Sequence, residues 1–282
     1  MNPILPISII VIGSIIGASR SFGLRPSRTV RHRWYDTVSQ AAARIFGDSF
    51  TVMNLGFADV DAERREHPLA EHYPIGLYSF VIGLIDSKCL RSSTILEVGS
   101  GRGGGANFLA ETVRPRKIIG LDLSGEATAF SRRYHRTANL EFMQGDALNL
   151  PFADESFDIV INVESSHCYP DMSKFVSEVY RVLKPGGHFL LADHRRVDQI
   201  PELMQAVTTL SWSRSNNIDI TANVVAALEA DSERKSGFID ESKLPRLAKH
   251  VCKEFAACVG SRMFADLKSG DVRYLSFVME KP

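Results

Sequence analysis

The stretch Ile95-Leu96-Glu97-Val98-Gly99-Ser100-Gly101-Arg102-Gly103-Gly104-Gly105 decides how the rest of the chain is read. An apolar run of strand length passes into a glycine-dense turn, and a helical pattern follows. Glycine is needed where a backbone turns tightly and where a ligand comes too close for a side chain. Such a turn serves many nucleotide-binding folds, so it fixes a ligand class only together with its neighbours.

The next apolar run ends in Gly120-Leu121-Asp122-Leu123. An acid at the end of a second strand can accept hydrogen bonds from both ribose hydroxyls of a nucleoside. To this point a nicotinamide cofactor and S-adenosylmethionine (SAM) both fit. Two features separate them. Glu97 lies two positions before the first glycine, where a carboxylate opposes a pyrophosphate but suits an ammonium and a sulfonium. Gln144-Gly145-Asp146-Ala147 then follows a third strand, and its acid can accept from the exocyclic amine of adenine. Both argue for SAM over NAD.

The flanking periodicity gives the architecture. Thr94–Val98, Lys117–Leu121, Leu140–Met143, Phe157–Val163 and His188–Ala192 read as strands. Between the last two, Phe175, Val176, Val179, Val182 and Leu183 recur at helical spacing over Ser173–Leu183, stopped by Lys184-Pro185-Gly186-Gly187. Alternating strands and helices imply an α/β fold, a parallel sheet with helices on both faces. Residues 34–91 read as mostly helical, and 197–250 as helical and more polar. Glu254–Val259 and Tyr274–Met279 read as a final pair of strands, antiparallel at the sheet edge.

In motif order the chain resembles the class I SAM-dependent methyltransferases. The series runs E-x-G-x-G-x-G, the acid after the second strand, and Gly145-Asp146-Ala147. It continues with Leu150-Pro151-Phe152, Ser156-Phe157-Asp158-Ile159-Val160 and Leu183-Lys184-Pro185-Gly186-Gly187, covering roughly residues 92–193. The resemblance implies a Rossmann-like, mostly parallel seven-stranded sheet and SAM as cofactor. It implies cofactor contacts at Glu97, Gly99, Ser100, Gly101, Asp122, Leu123, Asp146, Ala147 and Asn162, and no metal. Asn54-Leu55-Gly56-Phe57 is similar to a segment that many of these enzymes fold over the cofactor, and His72, Tyr73 and Tyr78 are candidates for the acceptor pocket.

Methyl transfer from a sulfonium is an in-line displacement, so the protein must align the acceptor atom and deprotonate it if it is a hydroxyl. The fourth strand ends in Asn162-Val163-Glu164-Ser165-Ser166-His167-Cys168-Tyr169, and the fifth in Ala192-Asp193-His194. Carboxyl ends of strands face the ligand crevice in this fold. His167, with an intrinsic pKa near neutral, is the candidate general base, and Asp193 its orienting partner or a second base. Cys168 is expected to pack rather than react, since this chemistry needs no thiol. The segment Asn162–Tyr169 followed by Pro170, with Gly103-Gly104-Gly105-Ala106, is similar to the phthiotriolone and phenolphthiotriolone dimycocerosate methyltransferases, which act on long lipids. That similarity implies O-methylation of a small lipophilic hydroxyl, of lipid or polyketide type. Transfer to carbon or nitrogen, and a SAM-binding cyclase or scaffold that transfers nothing, stay open.

Lysine plus arginine equals aspartate plus glutamate at 33 each, so no global charge points to nucleic acid, and the partner is a small-molecule acceptor. The 4 cysteines show no paired spacing, which disfavours zinc and a disulfide framework and favours a reducing compartment. No charge occurs from Met1 to Ser19, and Arg20, Arg25, Arg28, Arg31 and Arg33 follow before Asp36. The order is the reverse of a cleaved signal and fits a short membrane anchor over residues 4–18 with a cytoplasmic catalytic domain. A targeting segment, a gene-start artefact and a buried helix in a soluble cytoplasmic protein are the alternatives. The expected organisation is a 1–33 apolar segment with a basic flank and a 34–282 methyltransferase domain. Within the domain, 34–91 is a helical cap, 92–193 the SAM-binding core, 194–250 a lid over the acceptor and 251–282 the terminal strands.

Overall fold

A computed structural model describes residues 51–59 and 72–282. The anchor expected over residues 4–18, and half of the 34–91 cap, lie outside the described residues. No helix among the described residues is long and apolar enough to cross a membrane.

The chain enters the sheet through α1 (His72–Ile82), then runs β1 (Thr94–Val98), α2 (Gly104–Thr112), β2 (Lys117–Asp122), α3 (Gly125–Tyr134), β3 (Leu140–Gln144) and β4 (Phe157–Val163). It continues as α4 (Met172–Val182), β5 (Leu183–Arg196), α5 (Ile200–Thr208), β6 (Arg214–Asp219), α6 (Thr221–Glu241), α7 (Arg246–Phe255), α8 (Arg262–Ser269) and β7 (Val272–Glu280). The seven strands form one sheet in the order β3-β2-β1-β4-β5-β7-β6. The first five are parallel; β7 runs antiparallel to both β5 and β6. This is the mostly parallel Rossmann-like sheet with helices that the sequence implies.

Side chains alternate to the two faces and build two apolar layers. Ile95, Ile118, Ile159, Ile161 and Leu190 pack with α1 and α2, while Leu96, Val98, Leu121, Val160 and Leu191 pack with α4 and α5. Buried on both sides, β1 is apolar except at its first residue, Thr94, and at Glu97. The order reverses at β1/β4, so the crevice at their carboxyl ends is a topological switch point where ligands bind in open α/β sheets.

Two strand expectations fail. Glu254–Val259 is not a strand: α7 runs to Phe255, and Ala256 and Ala257 close it with N–H bonds to the carbonyls of Cys252 and Glu254. Its apolar look comes from Ala257 and Cys258, buried in the turn, and from Phe255 and Val259, which stand in solvent. The partner of β7 is instead β6, Arg214-Ser215-Asn216-Asn217-Ile218-Asp219, inside the stretch expected to be helical. Among the described residues of 34–91, only 72–82 form an α-helix, and 51–59 run without regular structure.

Candidate functional site

The turn after β1 is shaped by close approach. Gly99 adopts φ +79°, and a Cβ there would lie 1.9 Å from the hydroxyl of Ser165, in the loop after β4. Gly105, in the first turn of α2, lets the ring of Tyr78 come within what would be 2.0 Å of a Cβ. Tyr78 uses that approach to donate a 2.5 Å hydrogen bond to Glu97 Oε1. Tyr78 was a candidate for the acceptor pocket; it is instead buried in the core against Glu97, because α1 lies directly over α2.

Glu97 is wholly buried, and its Oε2 has no hydrogen-bond partner. Burial pushes its pKa up to about 7, with the neighbouring Asp122 adding to the rise and the Tyr78 bond opposing it. A buried carboxylate oxygen without a donor fits a ligand bearing a cationic N–H group. Asp122 stands across the turn, where Oδ2 accepts from Gly101 N–H and Oδ1 from Ser124 N–H, both at 2.8 Å. Ser100 N–H is tied to the carbonyl of Leu121 at 3.1 Å, and Leu123 lies partly exposed after Asp122. Asp146 Oδ1 accepts from Leu148 N–H at 3.0 Å, holding the loop after β3.

Glu97, Gly99, Ser100, Gly101, Asp122, Leu123 and Asp146 therefore sit together along the carboxyl ends of β1–β3. Two others are placed differently. The side chain of Ala147 packs in the apolar layer with α4 and α5. Asn162 is fully buried below the turn and donates to Val98 O at 2.8 Å and Tyr169 Oη at 3.1 Å, tying β4 to β1. Residues just before the Asn54–Phe57 segment reach the turn: Gly104 N–H donates to Thr51 O at 3.2 Å, and Met53 Cε would lie 3.3 Å from a Cβ at Gly101. Tyr73 packs against Gly56 of that segment.

The loops after β4 and β5 join at one buried carboxylate. Asp193 Oδ1 accepts from His167 Nδ1 and His194 N–H, each at 2.8 Å. Oδ2 accepts from Ser166 Oγ at 2.6 Å and His167 N–H at 2.8 Å, and lies 3.1 Å from Arg195 Nη1. Five donors and two or more nearby cations hold Asp193 ionised, well below the usual carboxylate range although burial alone would raise it. His167 feels the reciprocal effect. Burial works against its charge, but Cys168 and Asp193 outweigh burial and push its pKa up to about 10. The ring of His194 lies tilted at 31° against that of His167, 4.2 Å between centroids. His167, Asp193 and His194 also present ligand atoms within 4.8 Å of one another, the convergence a metal ion needs. Arg195 already supplies positive charge to Asp193, which disfavours a second cation there.

Sequence reasoning missed Glu164 in this site. It holds φ +49°, outside the usual range for a residue other than glycine. Its Oε2 accepts from Leu55 N–H at 2.8 Å and Tyr274 Oη at 3.0 Å, joining the segment over the turn to β7. Burial lifts its pKa to about 7 against the opposing Leu55 bond. The available signal was an acid immediately after an apolar strand and three positions before His167.

The family described as "Methyltransferase domain" matches residues 96–191, spanning the glycine turn, Glu97, Asp122, Asp146 and the β4 loop. A fatty-acid O-methyltransferase of Mycolicibacterium smegmatis is 35% identical, over 86% of this chain and 87% of its own length. The chain belongs to the SAM-dependent methyltransferases. A phthiotriol/phenolphthiotriol dimycocerosates methyltransferase of Mycobacterium tuberculosis is 34% identical over 79% of this chain and 80% of its own. Among solved structures, the geranyl diphosphate C-methyltransferase of Streptomyces coelicolor, in complex with S-adenosylhomocysteine, superposes with a TM-score of 0.63 at 17% identity, covering 92% and 99% of the two chains. At that identity the likeness is one of fold. As a SAM-dependent methyltransferase the protein is an enzyme, and its cofactor is S-adenosylmethionine.

Proposed function

We propose that the enzyme transfers the methyl group of SAM to an oxygen of a lipophilic acceptor, of lipid or polyketide type, with the His167–Asp193 pair aligning that oxygen. The observation that carries this is the pair itself: an imidazole anchored through Nδ1 to a buried carboxylate, in the loop whose Ser165 touches Gly99. Two relatives are named for O-methylation of a fatty acid and for methylation of phthiotriol-type lipids, and both names support a long-chain acceptor. SAM supplies the electrophilic methyl group and leaves as S-adenosylhomocysteine.

For a hydroxyl acceptor, neutral His167 takes the proton at Nε2 as the oxygen forms its bond to the methyl carbon. Asp193 then stabilises the resulting imidazolium. In the cofactor clamp, Glu97 pairs with the ammonium, Asp122 holds the ribose and Asp146 the adenine amine. The Gly99, Ser100, Gly101, Leu123 and Ala147 backbone lines the crevice, and the buried Asn162 steadies it from below.

A second reading is favoured by the raised pKa of His167, which makes it an imidazolium near neutral pH. A carboxylate acceptor is already a nucleophile and needs no base, and an imidazolium would orient it through a charge-assisted hydrogen bond. The pH dependence of kcat/KM separates the two. With an alcohol the rate climbs with pH as His167 loses its proton towards pH 10; with a fatty acid it is flat and falls only there. In either case His167→Ala should lower kcat by about a hundredfold or more while SAM affinity is kept. Unchanged turnover in that variant would remove His167 from the reaction.

The organisation offered with this reading keeps 92–193 as the cofactor core and 194–250 as the acceptor side, although β5 runs across that boundary to Arg196. Membrane attachment through residues 4–18 and a cytoplasmic catalytic domain are likewise proposals, supported by the charge order of the sequence. Removal of residues 1–33 should release the protein from the membrane fraction; unchanged partitioning would reject the anchor.

A further inference from the structure

Arg195 is buried where the fold alone would be served by an apolar residue. Alternation along β5 puts it on the same face as Leu191 and Asp193, under α4 and α5, while Arg196 stands exposed on the other. It is 7% exposed, and Met172 and Leu203 lie with it around a small cavity that also reaches His167. Arginine is almost never buried this deeply unless its donors are taken up. Here the site takes them up. Nη1 donates to His194 O at 2.7 Å and lies 3.1 Å from Asp193 Oδ2, and Nη2 donates to Ser166 Oγ at 2.8 Å.

Those bonds fix the direction of the ones around them. A guanidinium only donates and an ionised carboxylate only accepts. The Ser166 hydroxyl between them therefore receives from Arg195 and gives to Asp193 Oδ2, at 2.6 Å. Arg195, Ser166 and Asp193 close a triangle that ties the loop after β4 to β5. His167 follows Ser166 directly, and its own N–H also goes to Asp193 Oδ2, at 2.8 Å. With Oδ2 filled, the imidazole meets Oδ1 through Nδ1, which turns Nε2 to the far side of the ring.

We infer that Arg195 is a positioning residue for methyl transfer, locking the loop that carries His167 and sharing Asp193 with its imidazole. This rests on the reading that His167 aligns the acceptor oxygen. A purely structural role would not need the charge, since an apolar side chain would pack as well against Met172 and Leu203. The charged and titratable groups that face the imidazole are Glu164, Cys168, Asp193 and His194, with Glu202 across the cavity and Arg195 behind Asp193. Arg195 is the fixed cation of that set. It draws on the Asp193 charge that would otherwise hold the proton on His167, so its loss should make the imidazolium harder to deprotonate.

The test follows the His167 ring by NMR titration in the histidine-labelled full chain, assigned against His167→Ala, together with kcat on palmitate and on hexadecanol. The wild type is compared with Arg195→Met and Arg195→Lys. Arg195→Met should move the His167 titration to higher pH by about one unit and lower kcat about tenfold or more, with SAM affinity unchanged. Arg195→Lys keeps the charge and loses the fork. Its titration should stay near the wild-type point, and its kcat should lie between those of the wild type and Arg195→Met. An unmoved titration in Arg195→Met, or wild-type kcat in either variant, would overturn the inference and assign Arg195 to the fold. Should Arg195→Met fail to fold, Ser166→Ala decides. Opening the triangle there should lower kcat with SAM affinity kept, and unchanged turnover would overturn the lock. Failure of the underlying reading shows separately, as absence of S-adenosylhomocysteine when the wild type is given SAM with either lipid, whereas the titration is read without an acceptor.

Discussion

Glu97 and His167 both sit far from their ordinary ionisation, in ways that make them report on ligands. Glu97, with its pKa at about 7, is partly protonated at neutral pH, and a bound ammonium requires it ionised. SAM binding should therefore release a proton between about pH 6 and 7.5, and affinity should rise with pH across that window. Calorimetry in two buffers of different ionisation enthalpy measures it directly; equal heats would mean Glu97 does not meet the cationic end of SAM. Glu97→Gln should cost about 1.5–3 kcal/mol of SAM binding, the worth of a charge-assisted hydrogen bond. For His167 the sign is opposite. Asp193 raises its pKa, so Asp193→Asn should shift the rising limb of an alcohol-dependent pH profile to lower pH while reducing kcat. A limb left in place would mean that another group titrates.

At the scale of elements, the β1–turn–α2 unit holds both the cofactor acid and the close approaches that shape the crevice. Gly99→Ala adds a Cβ onto Ser165 Oγ at a positive φ, so it should weaken SAM binding and destabilise the fold by about 1–3 kcal/mol, read as a lower melting point with and without cofactor. Unchanged SAM affinity there would separate the turn from the cofactor. Far from the site, Ser261 caps α8 by accepting from Phe264 N–H, and Ser261→Ala should cost about 1 kcal/mol without touching catalysis. The elements legible in the sequence are the ones whose burial writes a pattern. β1, β2, β3, β4 and β7 match the expected runs within one or two residues, and β5 extends its run at both ends. β6 was invisible because it is an exposed edge strand, Arg214-Ser215-Asn216-Asn217, held by backbone pairing to β7 and not by apolar alternation. Glu254–Val259 misled for the complementary reason, as an apolar run whose large members face solvent. In the site, motif spacing found Glu97, Asp122, His167 and Asp193. The Tyr78–Glu97 bond and the Glu164 bridge depend on packing between distant segments, which no local pattern carries.

For the whole molecule, the shifted groups combine into an unusual dependence of stability on pH. Glu97 and Glu164 have folded pKa values raised to about 7, so the stability they contribute is complete below about pH 4.5 and is lost as pH rises through 7. His167, raised to about 10, contributes stability that is complete below about pH 6.5 and is lost towards pH 10. Asp158 and Glu178, held low by Lys184 and Arg181, lose their contribution only under more acidic conditions, and Lys235 opposes the alkaline trend. Without ligand the enzyme should melt highest at mildly acidic pH and lower at pH 8, and SAM should raise the melting point more at pH 8 than at pH 5. A ligand-free optimum at pH 8 would contradict the buried, protonated state of Glu97 and Glu164. The central claim is methyl transfer from SAM to a lipid oxygen beside His167. Its most direct measurement is mass-spectrometric product analysis after incubation with methyl-labelled SAM and either palmitate or hexadecanol. The account predicts labelled methyl ester or methyl ether in equal amount to S-adenosylhomocysteine, abolished in His167→Ala; label on carbon or nitrogen, or no S-adenosylhomocysteine from either lipid, would contradict it.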